Sequence, residues 1–333
     1  MICPKCGVDA PSGVRFCEVD GTPLPIDNTL DRAGYGMCRC GAGPDAIDES
    51  GFCTECGIRR GMSQRDHIEM EPVPEFAGVT DKGLRHNENQ DDMAIAVADT
   101  PKGKCYIAVV CDGVSGSEGA ANASAAAAKT ACAALTHGVT DSAEGDIEAL
   151  MRSSIIAANH AVCRLAFAHL SAKDPPETTI VAAVVIGQTV VVGWAGDSRA
   201  YWISGSDSAM ITRDHSWIND VVDAGQMSEE EAEKAPLAHA IVLCLGGAAG
   251  NTDEPVEPSI VTCEIPADAK LLLCSDGLWN YAPTLEELSG LVMQVPVETP
   301  RDAARRLVRY AISEGGKDNI TAVVLDRANH EMN

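Results

Sequence analysis

Apolar runs of strand length alternate in blocks with segments of helical periodicity along most of the chain. MAIAVAD and CYIAVVCD predict strands, and TTIVAAVVIGQTVVVGWAGDSRAYWI, beginning at Thr178, predicts a β-hairpin around a Gly-Gln turn. Helical spacing of apolar residues occurs in SEGAANASAAAAKTACAAL and DIEALMRSSIIAANHAVCRLAFAHL. This order favours an α+β fold in which two sheets bury their faces on each other and helix pairs lie outside.

Capping patterns mark further helices in the second half of the chain. SEEEAEKA and TLEEL both open with the residue spacing of a capping box, and PRDAARRLVRYAISEGG has proline in its first turn and glycines after its last. The strand SIVTCEI and the strand AKLLLCS lie between them, and NITAVVLD predicts a closing strand. Helices and strands therefore extend to the last apolar run.

The segment from Met1 to Gly61 breaks this pattern. It is rich in Gly, Pro, Asp and Cys and poor in aliphatic runs, so it needs a source of stability other than an apolar core. Its paired cysteines resemble a tandem zinc ribbon over residues 1–61. The candidate zinc ligands are Cys3, Cys6, Cys17 and Asp20 in the first ribbon and Cys38, Cys40, Cys53 and Cys56 in the second.

Two alternatives stay open for this segment. Asp20 either completes the first site with a carboxylate oxygen or is a turn residue in a degenerate site, because Asp-Gly is also a common turn sequence. The second set of cysteines is a zinc site, or else a set of reduced thiols or a redox pair. The cysteines elsewhere in the chain lie mostly in apolar or Ala-rich segments and are predicted to be small buried thiols.

A polar segment follows the cysteine-rich one. MSQRDHIEMEPVP contains two prolines and shows no clear period, so residues 62–75 are predicted to be a linker. The second domain is predicted to span residues 76–328.

Composition excludes some classes of function. The formal net charge of −24 works against binding to a phosphate backbone, so we expect no nucleic-acid partner. Charged residues, Gly and Pro interrupt every apolar run before it reaches the length of a membrane helix, and the first residues lack the pattern of a secretory signal. We therefore expect a cytoplasmic protein without a membrane partner.

Carboxylates stand where the predicted strands end. Asp112, Asp197 and Asp276 follow or interrupt apolar runs, and Asp318 comes just before the closing strand. Each alone is more often a turn residue, but together they would repel one another unless a cation lay among them. Because the candidate ligands are carboxylate oxygens, the motifs favour Mg²⁺ or Mn²⁺ over zinc.

The motifs that contain these residues carry a resemblance. GLRHNENQDD, VVCDGVSG, GWAGDSRAYW, CSDGLW and GGKDNITAVV resemble, in order and spacing, metal-dependent Ser/Thr protein phosphatases of the protein phosphatase 2C type, from Phe76 to Asp326. The resemblance implies a four-layer α-β-β-α sandwich with a two-metal site at one edge. It also implies hydrolysis of phosphoserine and phosphothreonine on proteins, by direct attack of water activated by two metal ions, and hence phosphoprotein substrates and a cognate Ser/Thr kinase.

The resemblance further implies roles for individual residues. Asp112 would bridge both metals, the carbonyl of Gly113 would bind one of them, and Asp276 and Asp318 would hold the other. Asp91 would act in contact with a metal or just behind its ligands. Two residues have supporting roles: Asp197 would help to hold a third, weaker metal, and Asn319 would support Asp318.

The chain departs from the family pattern near these ligands. Gln90 stands where many members have Glu, and His86 stands where the family has an arginine that clamps phosphate. His86 can donate to phosphate but lacks the guanidinium fork, and it is alternatively a surface residue without a role. Val114 stands where eukaryotic members often have a histidine that is a possible general acid, so the leaving group needs a proton from water or elsewhere.

Two other functions remain possible on this basis. One is a catalytically inactive phosphatase-like module that binds phosphoprotein or a regulator, for which Gln90 and His86 would be signs of decay. The other is a zinc-dependent adaptor in which the ribbons dock a protein partner and the large domain is a scaffold. Retention of Asp112, Asp276 and Asp318 favours an enzyme, because buried carboxylates are costly to keep without a metal.

Overall fold

A computed structural model describes residues 54–55, 64–141, 145–166, 174–204, 207–238, 240–247, 256–294 and 298–326. The chain divides into two compact units, residues 1–63 and 64–333. All the predicted zinc ligands lie outside the described residues, and the following account concerns the second unit alone. Within the described residues, no helix is both long enough and apolar enough to cross a membrane.

The second unit is built from antiparallel sheets and helices. The strands are β1 (His67–Val73), β2 (Phe76–Asp81), β3 (Asp91–Thr100), β4 (Gly103–Asp112), β5 (Glu177–Thr178), β6 (Ile180–Ile186), β7 (Thr189–Ala195), β8 (Arg199–Ile203), β9 (Ala209–Met210), β10 (Leu245–Gly246), β11 (Ser259–Glu264), β12 (Lys270–Cys274) and β13 (Ile320–Asp326). The helices are α1 (Ala120–Asp141), α2 (Ile147–Cys163), α3 (Trp217–Asp223), α4 (Glu229–Glu233), α5 (Asp276–Trp279), α6 (Leu285–Met293) and α7 (Pro300–Ser313).

Two large sheets form the centre of this unit. One has the strand order β1-β2-β13-β12-β8-β9 and the other the order β11-β7-β6-β4-β3, while β10 and β5 form a separate pair. Every pairing between these strands is antiparallel. The predicted hairpin is confirmed as β6 and β7, but β8, which continues the same apolar segment, crosses into the other sheet.

The apolar runs are continuous because the strands are buried on both faces. Along β4, Tyr106 and Val110 belong to the core between the sheets, whereas Ile107 and Val109 belong to the core beneath α1 and α2. Successive side chains of a strand point to opposite faces, so a strand covered on both sides needs apolar residues at every position. A third core lies between the other sheet and α5, α6 and α7. The predicted arrangement of helix layers outside two packed sheets is therefore confirmed.

The predicted linker over residues 62–75 is wrong for His67–Val73, which form β1 and pair with β2. Ile68 and Met70 pack on the core between the sheets, and Glu69 forms an ion pair with Arg305 on α7. β1 is an edge strand whose side chains are partly exposed, so its sequence lacks the apolar pattern of a buried strand. Its Glu69 is paired instead with an arginine of a neighbouring helix.

The predicted capping boxes are confirmed. Ser228 and Glu231 exchange side-chain and backbone hydrogen bonds at the start of α4, and Thr284 and Glu287 do so at the start of α6. These contacts depend on residues three positions apart and on little else, which is why their sequence pattern is reliable.

Candidate metal centre

The predicted acidic residues come together at the ends of strands. Asp91 opens β3, Asp112 closes β4, and the two residues are directly opposed across the strand pair. Asp276 follows β12 as the first residue of α5, and Asp318 lies just before β13, which pairs with β12. The charges of Asp91, Asp276 and Asp318 all raise the pKa of the Asp112 carboxyl group, so the two sheets deliver their carboxylates to one place.

Burial and the charges of neighbouring carboxylates raise the pKa values of these groups. Burial raises the pKa of Asp91 to about 7, and the charge of Asp318 adds to this effect. Burial, followed by the charges of Asp318 and Asp91, raises the pKa of Asp276 to about 7. The pKa of Asp112 lies well above its usual range because of burial and its acidic neighbours. Carboxylates arranged in this way bind a proton near neutral pH unless a cation compensates them.

The unpaired oxygens in this cluster fit such a cation. Oδ1 of Asp91 and Oδ1 of Asp276 are buried and have no hydrogen-bond partner within the described part of the chain. The donor atoms are carboxylate oxygens, which Mg²⁺ and Mn²⁺ prefer. Among the described residues, no three acidic, histidine or cysteine side chains form a ready-made ligand set for one ion. One or two carboxylates with water and a carbonyl oxygen complete the usual coordination of Mg²⁺, so the cluster fits this kind of ion.

Two hydroxyl groups orient Asp91, and neither was identified from the sequence. Ser275 Oγ and Thr321 Oγ1 each lie 2.7 Å from Oδ2 of Asp91. Ser275 Oγ also accepts a hydrogen bond of 3.0 Å from the backbone nitrogen of Thr321. Oδ2 is therefore held by the other sheet, which leaves Oδ1 as the unpaired oxygen. The position of Ser275 directly before Asp276 was the only available sequence signal.

The glycines after the two central aspartates permit close packing. A Cβ atom at Gly277 would lie 1.9 Å from the carbonyl oxygen of Asn319, and one at Gly113 would lie 2.5 Å from the carbonyl oxygen of Ala120 and 2.7 Å from that of Gln90. A side chain at Gly277 would push α5 away from the start of β13. The glycines thus allow the strand ends to approach each other closely.

Asn319 joins the loop before β3 to Asp318. Its Oδ1 accepts a hydrogen bond of 2.8 Å from the backbone nitrogen of Gln90, and its Nδ2 donates to the carbonyl oxygens of Lys82 and Glu88 at 2.8 Å and 3.1 Å. Its own backbone nitrogen donates to Oδ1 of Asp318 at 2.8 Å. Asn319 therefore fixes the loop that contains His86 relative to Asp318.

His86 and Gln90 occupy this loop in different ways. Nε2 of His86 lies 3.1 Å from Oδ1 of Asp318, so His86 is part of the cluster and not a distant surface residue. Oε1 of Gln90 accepts a hydrogen bond of 3.0 Å from Ser115 Oγ, and its Nε2 lies 3.4 Å from Oε1 of Glu88. The amide of Gln90 thus serves to tie two loops together.

Asp197 lies at the margin of the cluster, directly after β7. Burial raises its pKa to about 7, and the charges of Asp276 and Asp214 contribute. Its carbonyl oxygen accepts a hydrogen bond of 3.0 Å from Nε1 of Trp279, a residue of α5. The guanidinium of Arg199 lies 3.6 Å from the Trp279 ring and forms a bidentate ion pair with Asp214. Arg199 and Trp279 thus link Asp197 to the helix that begins with Asp276, a contact that no sequence pattern predicted.

Comparisons with known proteins agree with this geometry. A family model described as protein phosphatase 2C matches residues 83–309. The chain is 29% identical over 262 residues to the Serine/threonine protein phosphatase PstP of Mycobacterium tuberculosis. The aligned region covers 78% of this chain but only 46% of that protein. The chain thus spans about half the length of this relative. It is 28% identical over 248 residues to the Serine/threonine phosphatase stp of Listeria monocytogenes, covering 74% of this chain and 94% of that protein.

Solved structures show the same fold. The serine/threonine phosphatase of S. agalactiae superposes with a TM-score of 0.61 at 27% identity, covering 76% of this chain and 99% of that one. The catalytic domain of PstP in complex with two manganese ions superposes with a TM-score of 0.57 at 26% identity, covering 78% of this chain and 98% of that one.

Proposed function

Since the chain belongs to the protein phosphatase 2C family, we propose that it is a metal-dependent protein Ser/Thr phosphatase that hydrolyses phosphoserine and phosphothreonine on proteins. The observation that carries the proposal is the convergence of Asp91, Asp112, Asp276 and Asp318 at one edge of two packed sheets, with two buried carboxylate oxygens left unpaired. Such a group is costly to bury without a cation, and a binding module would have no need of it.

The cofactor of this proposal is Mn²⁺ or Mg²⁺. Asp112 and the carbonyl of Gly113 would hold one ion, while Asp276 and Asp318 would hold a second. Asp91 supports them through its unpaired oxygen, and Asp197 with Asp276 would take a third, weaker ion. The manganese ions in the related PstP structure support the choice of metal.

The residues of the chain then have distinct roles in hydrolysis. When bound, the two metals would supply a lowered pKa for the attacking water and compensation for the negative charge of the phosphoryl group. Asp112 lies opposite Asp91 across β3 and β4, and Ser275 and Thr321 keep Asp91 from turning away. His86 places its ring beside the cluster, where a ring N–H can donate to a phosphoryl oxygen. Val114 supplies no proton, so the leaving oxygen needs one from water or from another group.

We extend the proposal to the residues before the catalytic domain. Residues 1–61 would bind one or two structural zinc ions and would dock a protein partner, and residues 62–66 would connect them to β1. The support is the spacing of the cysteines. Because zinc thiolates require reduced cysteines, the same residues support a cytoplasmic location. A cognate Ser/Thr kinase would supply the phosphoproteins that the enzyme consumes.

The test is Mn²⁺-dependent hydrolysis of a phosphothreonine peptide by the full chain and by Asp276→Asn. Loss of the charge at Asp276 should lower kcat/KM by at least about a hundredfold, because changes to residues that merely support metal ligands already cost about 10–100-fold. Asp268→Asn, a change at an exposed residue in the turn before β12, should retain wild-type activity.

The inactive-module alternative predicts a different result. If wild-type protein binds Mn²⁺ and the phosphopeptide but hydrolyses it no faster than Asp276→Asn, the enzyme proposal is rejected and the binding function is favoured.

A further inference from the structure

Arg65 lies in the short 3₁₀ turn before β1, outside the residues that match the family model, and it contacts the start of β3. Its Nε donates to the carbonyl oxygen of Asn89 at 3.0 Å, and its Nη2 lies 3.2 Å from the carbonyl oxygen of Asp91. Nη2 also lies 3.0 Å from Ser124 Oγ on α1 and 3.0 Å from Oδ2 of Asp92. A lysine has neither the planar fork nor the number of fixed donors needed to reproduce these contacts.

A second route connects Arg65 to the carboxylate of Asp91. Nδ2 of Asn89 donates to the carbonyl oxygen of Arg65 at 3.1 Å and to Thr80 Oγ1 at 2.9 Å. Thr80 Oγ1 lies 2.7 Å from Thr321 Oγ1, which lies 2.7 Å from Oδ2 of Asp91. If each hydroxyl donates its one proton onward, the hydrogen bonds run from Asn89 through Thr80 and Thr321 to Asp91.

The direct contact and the chain of hydrogen bonds both constrain Asp91, the first at its backbone and the second at its side chain. Arg65 contacts the carbonyl of Asp91 directly, and Asn89, which exchanges hydrogen bonds with Arg65, begins the chain that reaches the Asp91 carboxylate. Asn89 is fully buried, so a change in its position cannot be absorbed by solvent. Displacement of Arg65 would therefore alter both the backbone and the side chain of Asp91, opposite Asp112.

We propose that Arg65 is a positioning residue that holds Asp91 in the orientation required for divalent-metal binding. The inference rests on the proposed function, because the metal site is the one described above. It adds a residue that lies between the cysteine-rich unit, which ends at Ser63, and the catalytic motifs.

The experiment measures Mn²⁺ binding by titration calorimetry with the full chain after divalent ions have been removed by dialysis. Arg65→Met should weaken the binding of Mn²⁺ about tenfold, the size of effect expected when a residue that supports a ligand is lost. Arg65→Lys keeps a charge for Asp92 but loses the fork, so its Mn²⁺ affinity should lie between those of Arg65→Met and the wild type. At saturating Mn²⁺, the KM for the phosphopeptide should be unchanged in both variants.

Arg306→Met is the matched control. Arg306 is also partly buried and also bonds a carboxylate, that of Glu298, together with the carbonyl oxygen of Leu291, but it lies on α7. This variant should lose stability without a change in Mn²⁺ affinity, as a purely structural arginine would.

An Arg65→Met protein that is folded by circular dichroism and binds Mn²⁺ as tightly as the wild type would overturn the inference. If Arg65→Met does not fold, a folded Arg65→Lys with wild-type affinity overturns it equally. If the wild type itself binds Mn²⁺ and hydrolyses the peptide, such a result rejects the role of Arg65 alone. A wild type that does neither rejects the phosphatase proposal.

Discussion

Asp91 illustrates how the chemistry of one residue depends on distant parts of the chain. Its carboxylate contacts Ser275 and Thr321, which are 184 and 230 positions away in sequence. The motif around Asp91 identified it as a candidate metal residue, but its ordering depends on hydroxyl groups that no spacing rule connects to it. Its Oδ2 is hydrogen-bonded and its Oδ1 has no partner among the described residues, so Oδ1 is available to a metal ion.

His67 is a second residue whose properties arise from contacts across the fold. Its Nδ1 lies 2.8 Å from Oδ2 of Asp81 and its Nε2 lies 3.1 Å from Oε1 of Glu69. The hydrogen bond with Asp81, together with that to Glu69 and both charges, raises the pKa of His67 against the opposing effect of burial. Since the folded state favours the protonated ring, this contribution to stability is fully present below the unfolded pKa of about 6.5 and is lost as the pH rises through the higher folded value.

We expect His67→Gln to be less stable than the wild type at pH 5.5, with a difference that shrinks by pH 8.5. The measurement is the urea midpoint of both proteins in chelator, since comparing the two cancels the pH dependence of the other groups. His137→Gln, which removes an exposed ion pair with Asp141 on α1, should show little difference at either pH. A His67→Gln deficit that is constant with pH would contradict the assignment.

At the scale of elements, some helices and strands follow from local sequence patterns, whereas others depend on contacts with residues far away in sequence. The capping boxes of α4 and α6 and the continuous apolar run of β4 follow from neighbouring residues, and the sequence predicted them. β1 and α5 were not predicted, because a polar edge strand and a helix of one turn lack a distinctive period. Both are held by contacts with elements far away in sequence, β1 by α7 and α5 by β13.

Two glycines in neighbouring helices provide a test at this scale. A Cβ atom at Gly290, inside α6, would meet no atom within 4 Å. Gly290→Ala should therefore stabilise the protein by about 0.5–1 kcal/mol through helix propensity. Gly277→Ala should destabilise it by about 1–3 kcal/mol, because its Cβ would overlap the carbonyl of Asn319.

Urea unfolding of both variants gives the comparison. Gly277→Ala should also weaken Mn²⁺ binding, since α5 carries Asp276, whereas Gly290→Ala should bind Mn²⁺ normally. Equal stabilities for the two variants would show that α5 does not pack against β13 as described.

At the scale of the whole molecule, the chain divides into two units whose sequences differ in composition. The second unit is stabilised by apolar cores on both faces of its sheets. The cysteine-rich residues 1–61 contain few aliphatic runs, so the zinc proposal replaces an apolar core with metal ligation. The net charge of −24 also sets a condition for partners, because it favours basic protein surfaces over nucleic acid.

The zinc proposal predicts at least one tightly bound zinc per chain in protein purified without chelator. Cys53→Ser should remove the zinc of the second ribbon, and Asp20→Ala should lower the zinc content only if the first ribbon is occupied. Metal analysis by mass spectrometry measures both. Fewer than one zinc per chain in the wild type would reject the ribbons, and two zincs retained by Asp20→Ala would reject Asp20 as a ligand.

The sequence by itself determined the strand and helix blocks, the capping boxes and the set of aspartates at strand ends, because each of these is a local pattern of period or spacing. It also led to the family through motifs that surround those aspartates. Only the tertiary structure decided the partners of Asp91, the incorporation of residues 67–73 into a sheet, and the contact of Arg65 with β3. The physical reason is that the role of a polar residue depends on what lies opposite it, and residues that meet across two packed sheets can be hundreds of positions apart.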